Sequence, residues 1–323
     1  MDGELFRERF AAARALRDRF IPPDTTGYRA VNSEGDLSPG VVLDVYGGAA
    51  VLELVTEGAE KMEADFLEAA QEVFGPRRIV ARRSGREGRD ARPGARPKAS
   101  PEPDLAAFVE NGLSFFADLS AGQKTGFYLD QRENRRRLRA LAAGRRVLNL
   151  FSYSGGFSVA ALAGGASRAV DVDASGPALA MAREHRRLAG FPAPESDFVQ
   201  EDVFEDLRRR VEDAESWDIV VCDPPAFARK RGDLDRAARG YKDVNRLAMR
   251  LVVRDGWLLT CSCSGLVTAD LFQKIVFSAS LEAGRSFAIA ARQGAGPDHP
   301  VSLDCPEGEY LKGLWLAASP SGR

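Results

Sequence analysis

The chain has 323 residues and a mass of 35.0 kDa, enough for two domains of ordinary size. Hydrophobic residues make up 44 % of it and charged residues 28 %, without an apolar run long enough to span a bilayer. This composition excludes a disordered, coiled-coil or transmembrane protein and leaves a soluble globular enzyme or binding protein. The 45 Lys and Arg nearly balance the 47 Asp and Glu, so bulk positive charge alone would not hold a nucleic acid.

The four cysteines are too few for a disulfide scaffold in a chain of this length, and none forms a CxxC pair with zinc-like spacing. The N-terminal segment mixes acidic and basic side chains in an amphipathic pattern, without the apolar core and cleavage site of a signal peptide. We therefore expect a cytoplasmic protein with no membrane segment and no metal site.

The first part of the chain predicts a small α+β domain. Residues 1–20 have near-helical apolar spacing, and an Ile-Pro-Pro sequence ends the pattern. Residues 21–118 contain two hairpin signals, one around a Gly-Gly turn and one around an Asn-Gly turn. The stretch 84–104 is rich in Gly, Pro and Arg and almost free of apolar residues, which predicts a mobile loop.

Residues 119–323 have a different character, with short apolar runs that alternate with helical segments. This rhythm predicts an α/β fold, a Rossmann-like, doubly wound and mostly parallel sheet whose ligands bind at the carboxyl ends of the strands. The predicted strands lie at 145–151, 168–173, 197–202, 218–223 and 256–262.

Polar residues collect where these predicted strands end. The turn FSYSGGFS follows the first strand, and its glycines would let a ligand approach the backbone at a helix N-terminus. Asp173 ends the second strand, 17 positions after Gly156, a spacing that suits a carboxylate bound to ribose hydroxyls. Asp202 ends the third strand and Asp223 the fourth. A single acid at such a position is more often a helix cap than a ligand, but four features in this order are much more specific.

The turn offers the pair Gly155-Gly156 but not the G-x-G-x-x-G pattern of dinucleotide-binding folds, and no P-loop sequence occurs. We expect His185 to face solvent and His299 to be structural, so neither histidine supports a nicotinamide dehydrogenase. The arrangement instead resembles the class I S-adenosylmethionine (SAM) methyltransferases, in which the first turn holds the methionine part, the second-strand acid the ribose and the third-strand acid the adenine. The resemblance implies SAM as the cofactor, in contact with Phe151, Ser152, Ser154, Gly155, Asp173, Asp202 and Asp223.

The sequence Asp223-Pro-Pro-Ala-Phe favours an enzyme that acts on nucleic-acid bases over one that acts on small molecules. A carboxylate held by a rigid Pro-Pro turn could hydrogen-bond a base edge, and the following aromatic ring could stack on the base. The alternative is that the prolines merely end a strand. We take Asp223 as a catalytic residue and expect substrate contacts from Pro224, Pro225, Phe227 and Lys230.

Cys261 and Cys263 lie at the end of the next predicted strand. Carbon 5 of a pyrimidine is not nucleophilic, so an enzyme that methylates it commonly adds a thiolate to carbon 6 first. A cysteine beside the Asp-Pro-Pro loop would supply that thiolate, whereas the alternative is a small apolar residue that completes a buried strand. Spacing alone does not choose between the two cysteines.

A longer series of motifs resembles one family, the bacterial large-subunit (23S) ribosomal RNA cytosine-C5 methyltransferases. The resemblance covers roughly residue 6 to the C-terminus, and it implies a SAM-dependent enzyme that forms 5-methylcytidine in ribosomal RNA through a covalent cysteine adduct at carbon 6. The motifs occur in the family's order and are GQKTGFYLDQRENR (122–135), VLNLFSYSGGFS, DPPAF, RGYKDVN (239–245), TCSCSGL (260–266), DHP (298–300) and PEGEYLKG (306–313).

The same resemblance implies roles for single residues. Lys124 or Arg132 would meet the carboxylate of SAM, and Tyr128 would lie in the segment packed against the cofactor. In the family's TxSCSG pattern the second cysteine is the constant one, so Cys263 is the expected nucleophile and Cys261 a bystander.

Members of that family usually begin with an RNA-binding PUA domain, which we do not find here, so we expect the domain at 21–118 to supply more of the RNA contact. The expected partner is large-subunit ribosomal RNA, and the sequence leaves the oligomeric state open, with a dimer among the options. Two alternatives stay open. One is an N-methyltransferase that acts on guanine or adenine and needs no cysteine, and the other is a nonenzymatic RNA-binding assembly factor that has kept the SAM fold.

The net charge of −2 conceals an uneven distribution along the chain. Two of three basic blocks flank the Gln123 segment and the Asp223 loop, so we predict one positive face around the active site that contacts RNA phosphates and makes methylation sensitive to salt. The basic blocks are 77–98, 132–146 and 229–254, and the acidic blocks are 44–72 and 195–218.

Overall fold

A computed structural model describes the chain at residues 3–83, 104–119, 125–228 and 230–319. The loop expected at 84–104 lies outside these residues except for Asp104, and so does Lys124.

The described chain divides into two compact units, and each is made of two stretches of sequence. The first unit contains Met1–Arg132 and Ala295–Gly308, and the second contains Glu133–Gly294 and Glu309–Arg323. The boundary thus falls at Arg132 rather than after residue 118, and a short late segment that we assigned to the second domain belongs to the first unit.

The first unit is an α+β structure with a four-stranded sheet in the order β1-β2-β3-β4 and a separate β5-β6 hairpin. Strands β3 and β4 are parallel, and the other neighbours are antiparallel. Both predicted hairpins are confirmed, as β2-β3 and β5-β6, whereas β1 was not predicted. The elements are α1 (Gly3–Phe20), β1 (Gly27–Asn32), β2 (Val41–Tyr46), β3 (Ala49–Leu54), α2 (Glu57–Glu60), α3 (Glu63–Phe74), β4 (Arg78–Arg83), β5 (Leu105–Glu110) and β6 (Leu113–Asp118).

The apolar spacing in α1 has a direct structural result. Phe6 and Phe10 are four residues apart, so they lie on one face of the helix and are both buried. Their rings contact Phe66 of α3, with centroids 4.3 and 6.2 Å away. This aromatic cluster packs α1 and α3 together on the hydrophobic core of the first unit.

Buried ion pairs hold the segment Ala295–Gly308 within the first unit. Arg132 donates to both carboxylate oxygens of Asp298, at 2.6 and 3.1 Å, and the backbone N–H of Arg29 donates to the same carboxylate at 3.0 Å. Burial alone would raise the pKa of Asp298, but His299, 3.1 Å away, and Arg132 outweigh it and hold this pKa well below its usual range. His299 is thus structural, as expected, and Arg132 is bound to a carboxylate of the protein itself.

The second unit is an α/β structure around a seven-stranded sheet in the order β12-β13-β11-β10-β7-β8-β9. Strands β11, β10, β7, β8 and β9 are mutually parallel, which confirms the predicted doubly wound fold, and β13 runs antiparallel to both β11 and β12. Strands β12 and β13 were not predicted. The elements are α4 (Arg132–Leu141), β7 (Arg146–Leu150), α5 (Gly156–Ala163), β8 (Arg168–Asp173), α6 (Gly176–Leu188), β9 (Phe198–Gln200), α7 (Val203–Glu212), β10 (Trp217–Cys222), α8 (Leu234–Leu251), β11 (Val252–Ser262), α9 (Ala269–Ala283), β12 (Phe287–Gln293) and β13 (Lys312–Ala318).

Helix α8 packs its apolar face in the core of the second unit. Its apolar residues Ala237, Tyr241, Val244 and Ala248 recur three or four residues apart, and all are buried in the core of the second unit. Their packing on the sheet leaves the first turn of α8 at the carboxyl edge of the strands, which is the edge where we expect a ligand. Within the described residues, no helix combines the length and the apolar character needed to cross a bilayer.

Candidate functional site

The turn after β7 has a strained backbone. Phe151 and Tyr153 adopt positive φ angles of 56° and 46°, a conformation that costs a non-glycine residue about 1–2 kcal/mol. Gly155 follows with a φ of 72°, and a Cβ atom there would lie 2.8 Å from the Cβ of Ala182. Only glycine fits this close approach. Strain of this kind, at the start of a helix on the ligand edge of the sheet, is typical of a binding turn.

His185 is hydrogen-bonded to this turn from the interior, which corrects our expectation that it faces solvent. It is fully buried, and its Nδ1 donates to the carbonyl oxygen of Ser154 at 2.8 Å. Helix α6 presents Ala178, Ala182 and His185 to the interior at helical spacing, so His185 lies on the packed face despite the arginines beside it in the sequence.

Asp173, at the end of β8, links the turn to the next helix. One carboxylate oxygen accepts the backbone N–H of Tyr153 at 2.9 Å, and the other accepts that of Ser175 at 2.8 Å. Each oxygen keeps a second lone pair for a ligand hydroxyl. The hydroxyl of Ser152 is buried in the same turn and has no hydrogen-bond partner within the described residues. A carboxylate for a ribose and an unsatisfied hydroxyl are groups that fit SAM here.

Asp202 is an exposed helix cap at the start of α7. Its Oδ1 accepts the backbone N–H groups of Phe204 and Glu205 at 2.9 and 3.3 Å. Asp202 thus caps α7, which was the alternative to a ligand role, and its contact with adenine stays a prediction.

Tyr128 and Arg132, just before α4 and at its start, were expected to contact SAM. Arg132 is 1 % exposed and is bound by Asp298 within the first unit, which argues against it as the group that meets the SAM carboxylate, and the contact of Lys124 or Arg132 with SAM stays a prediction. A buried guanidinium could leave that partner only at the cost of an unpaired buried carboxylate. Tyr128 also belongs to the first unit, and its role stays a prediction.

The Asp223 loop leaves the end of β10 and packs against α8. Asp223 is half-buried, Pro224 is buried and Pro225 is exposed. The ring of Phe227 lies 4.7 Å from that of Tyr241, so one part of it is fixed by packing. The loop continues to Lys230, which is exposed, and α8 begins four residues later.

Burial distinguishes the cysteines near this edge. Cys222 and Cys261 are fully buried, and Cys261 lies within the sheet opposite Gly313 of β13. Burial, together with the charge of Asp223, raises the pKa of the Cys222 thiol. Cys263 is only partly buried, and its Sγ lies 3.9 Å from the carbonyl oxygen of Pro224. Among these three, exposure at the loop favours Cys263 as a nucleophile.

Two serines and a tyrosine fix the direction of Cys263. The hydroxyl of Ser262 donates to the Tyr241 hydroxyl at 3.1 Å, and the hydroxyl of Ser264 lies 2.9 Å from the same oxygen. Neighbouring side chains of an extended segment point to opposite sides, so anchoring Ser262 and Ser264 on α8 turns Cys263 the other way, towards Pro224. Burial raises the pKa of Tyr241, which keeps this hydroxyl protonated.

Lys312, which our sequence reasoning missed, lies beside Cys263. It pairs with Ser262 in the register of β11 and β13, and its Nζ donates to the carbonyl oxygens of Ser264 and Tyr310 at 2.6 and 2.7 Å. Burial lowers the pKa of Lys312, while the nearby Cys263 and Glu309 act against that shift. The motifs PEGEYLKG and RGYKDVN contain Lys312 and Tyr241, but nothing in the spacing links either residue to Cys263.

Comparison with known proteins agrees with this geometry. A family profile described as S-adenosylmethionine-dependent methyltransferase matches residues 92–304. The chain is similar to two proteins named ribosomal RNA large subunit methyltransferase I. It is 43 % identical to the one from Photobacterium profundum, over 96 % of this chain and 79 % of that one, and 41 % identical to the one from Alteromonas mediterranea, over 97 % and 80 %.

A solved structure shows the same architecture. The protein SMU.776, whose crystal structure is a complex with SAH, superposes with a TM-score of 0.84 at 25 % sequence identity, covering 98 % of this chain and 82 % of that one. SAH is the product that SAM leaves after methyl transfer, and contact of such a ligand with the Gly155 turn and Asp173 stays a prediction. The chain belongs to the family of S-adenosylmethionine-dependent methyltransferases.

Proposed function

We propose that this enzyme methylates carbon 5 of a cytosine in large-subunit ribosomal RNA, and that Cys263 is its nucleophile. The name of the relatives supports the RNA class. The observation that carries the choice of atom is the partly exposed Cys263 thiol, 3.9 Å from the Pro224 carbonyl of the base-binding loop. An N-methyltransferase would need no thiol at this place.

The reaction begins when the Cys263 thiolate adds to carbon 6 of the cytosine and forms a C–S bond. This addition makes carbon 5 nucleophilic, and carbon 5 takes the methyl group that bound SAM supplies, which leaves SAH. A base then removes the proton from carbon 5, the C–S bond breaks, and the electrons return to Cys263 as a thiolate. The product is 5-methylcytidine, and Cys263 is regenerated unchanged.

The loop after β10 would orient the base for this addition. We assign Asp223 to the exocyclic amino group of cytosine, because a carboxylate accepts the two N–H donors that distinguish this base edge from that of uracil. Phe227 would stack on the ring, with Pro224 and Pro225 limiting the movement of the loop. Lys230 is exposed beyond the loop and would contact a phosphate.

The test is nucleoside mass spectrometry of RNA treated with the enzyme and isotope-labelled SAM. Wild type and the matched Cys261→Ala variant should produce labelled 5-methylcytidine, because the Cys261 side chain is enclosed in the sheet. Cys263→Ala should reduce the product to background while SAH binding is retained. Labelled N-methylguanine or N-methyladenine, or full activity of Cys263→Ala, would contradict the proposal.

A second experiment traps the covalent step. RNA with 5-fluorocytidine at the target has no proton for the base to remove from carbon 5, so the C–S bond to Cys263 should persist and give a complex that survives denaturing electrophoresis. Cys263→Ala should give none. RNA and SAH binding without methylation or adduct in the wild type would favour a nonenzymatic assembly factor.

A further inference from the structure

A basic groove lies between α7, α8 and α9 of the second unit. It is open to solvent and has a volume of about 870 Å³, and two carboxylates, Asp243 and Glu282, face its cations. We call it the α8 groove. Its cations and its aromatic wall are Arg208, Arg236, Arg239, Lys242, Arg246 and Phe204.

The two carboxylates do not neutralise the α8 groove. Asp243 accepts from Arg246 at 2.5 Å and from Arg208 at 3.5 Å, and Glu282 accepts from Lys242 at 2.7 Å. Arg239 is exposed and makes no ion pair with any residue that the structure describes. A neighbouring cavity of about 300 Å³ shares Arg239 and Lys242 with the groove and adds Lys274 to its lining. Arg236 also donates to Asp233 at 3.0 Å, Arg208 to Glu205 at 2.6 Å and Lys274 to Asp270 at 2.7 Å. Among the cations named here, the uncompensated positive charge is therefore that of Arg239.

The α8 groove continues from the candidate active site. The Phe204 ring lies 6.5 Å from that of Phe151 in the cofactor turn and 6.3 Å from that of Phe227 in the base-binding loop. At Gly240, which lines the groove, a Cβ atom would lie 3.3 Å from the Phe227 ring. A polynucleotide whose target base stacks near Phe227 would therefore have its next nucleotides at the groove.

We propose that the α8 groove binds the phosphates of single-stranded RNA next to the target base. The inference rests on the proposed function and adds the path of the substrate. Arg236, Arg239, Lys242 and Arg246 follow one another at three- or four-residue spacing, so they form a row along one face of α8. A row of cations on one helix face beside an aromatic loop suits an unpaired strand, whose bases can turn out of the stack while its backbone follows the charges.

Fluorescence anisotropy with a labelled single-stranded, cytidine-containing RNA oligonucleotide tests this proposal. We expect Arg236→Gln/Arg239→Gln to bind about tenfold more weakly at low salt, with a log–log salt dependence shallower by about 0.7 for each phosphate that the variant no longer binds. Arg239→Lys should retain most of the affinity because it keeps the charge. Arg187→Gln, an exposed arginine of α6 outside the groove, is the matched control and should bind as wild type does.

Two further measurements separate this proposal from the proposed function. SAH affinity and the maximal methylation rate at saturating RNA should be unchanged in the double variant, while KM for RNA rises. Wild-type RNA affinity in the double variant, or equally strong competition by a polyglutamate peptide or by duplex RNA, would overturn the role of the groove and leave Cys263-dependent methylation intact. Groove-dependent RNA binding without methylation would overturn the proposed function alone. Both arginines are exposed, so an unchanged melting temperature verifies folding.

Discussion

The two edges of the seven-stranded sheet are both rich in arginine, yet they use it differently. A second groove, of about 310 Å³, lies at the amino edge, where β7, β8 and β10 begin with Arg146, Arg168 and Trp217. There the guanidinium groups of Arg146 and Arg210 lie over the Trp217 ring, 4.7 and 5.6 Å from its centroid. The amino-edge groove thus has its cations packed on its own wall.

The difference lies in the carboxylates. At the amino edge Arg210 donates to Asp206 and Glu215, at 2.6 and 2.7 Å, and Arg168 donates to Asp197 at 2.8 Å. At the carboxyl edge, Arg239 and Lys312 form no ion pair within the described residues. An arginine-rich sequence therefore does not identify a ligand site. Arg239 has no carboxylate partner among the described residues, so its charge remains available to an external anion.

The largest expected effect is on stability, at the amino edge. Arg210→Met should lower the free energy of unfolding by about 3–5 kcal/mol, because it leaves the fully buried Asp206 with only a more exposed arginine as partner. The matched Arg239→Gln should change it by less than about 0.5 kcal/mol. Chemical denaturation measures both. Weaker RNA binding by Arg210→Met at unchanged stability would show that the two edges do not differ as described.

An intermediate effect is expected on cofactor affinity, at the carboxyl edge. Asp173→Asn should weaken SAH binding, measured by calorimetry, by about 1.5–3 kcal/mol, because it removes a charged acceptor for a ribose hydroxyl. Asp202→Asn provides a sharper comparison, since asparagine caps a helix as well as aspartate does and should leave stability unchanged. Any loss of SAH affinity in that variant reports the adenine contact alone. Wild-type SAH affinity in Asp173→Asn would contradict the ribose role.

The smallest expected effect is on the reactivity of Cys263. Lys312→Met should shift the pH midpoint of its alkylation by iodoacetamide upward by about one unit, because the nearby ammonium that favours the thiolate is lost. Tyr241 also interacts with this thiol, and Glu309 with Lys312.

Two comparisons make the alkylation measurement specific. Lys312→Arg keeps the positive charge and should restore most of the shift. Cys305, a partly exposed cysteine of the first unit, is an internal control whose alkylation should not change. Peptide mass spectrometry separates the two thiols, and an unmoved midpoint for Cys263 in Lys312→Met would show that the ammonium does not favour its thiolate.

The parallel strands were predictable because their side chains are buried on both faces. The run at 168–173 coincides with β8, and it reads as a strand since nearly every residue in it is apolar or interior. Strand β12 was missed although it begins with the apolar run FAIAA, because most of its residues are exposed at the edge of the sheet and the run lacks the alternation of a half-buried strand. Strand β13 was missed because it begins at Lys312, inside the motif PEGEYLKG, which we interpreted only through its family resemblance.

The sequence predicted candidate site residues, but not the residues that pack against them. Asp173 and the Gly155 turn follow from their order along the strands. The burial of Cys261 depends on pairing with Gly313, some fifty residues later, and no local pattern contains that information. His185 was misjudged because the arginines next to it suggested a solvated face, although one of them, Arg186, is itself buried with Asp171 at 2.9 Å.

The late segment Ala295–Gly308 of the first unit bears on how the chain folds during synthesis. Domains generally fold as units, the N-terminal one first as it leaves the ribosome. Here Arg17 donates to the carbonyl oxygen of Asp298, and Arg132 donates to its carboxylate. These two buried guanidinium groups therefore gain this hydrogen-bond partner only after a residue more than 160 positions beyond Arg132 has been synthesised. The first unit cannot reach its final state until nearly all of the methyltransferase sheet has been translated. Truncation before residue 298 would therefore destabilise the N-terminal unit as well as remove β13.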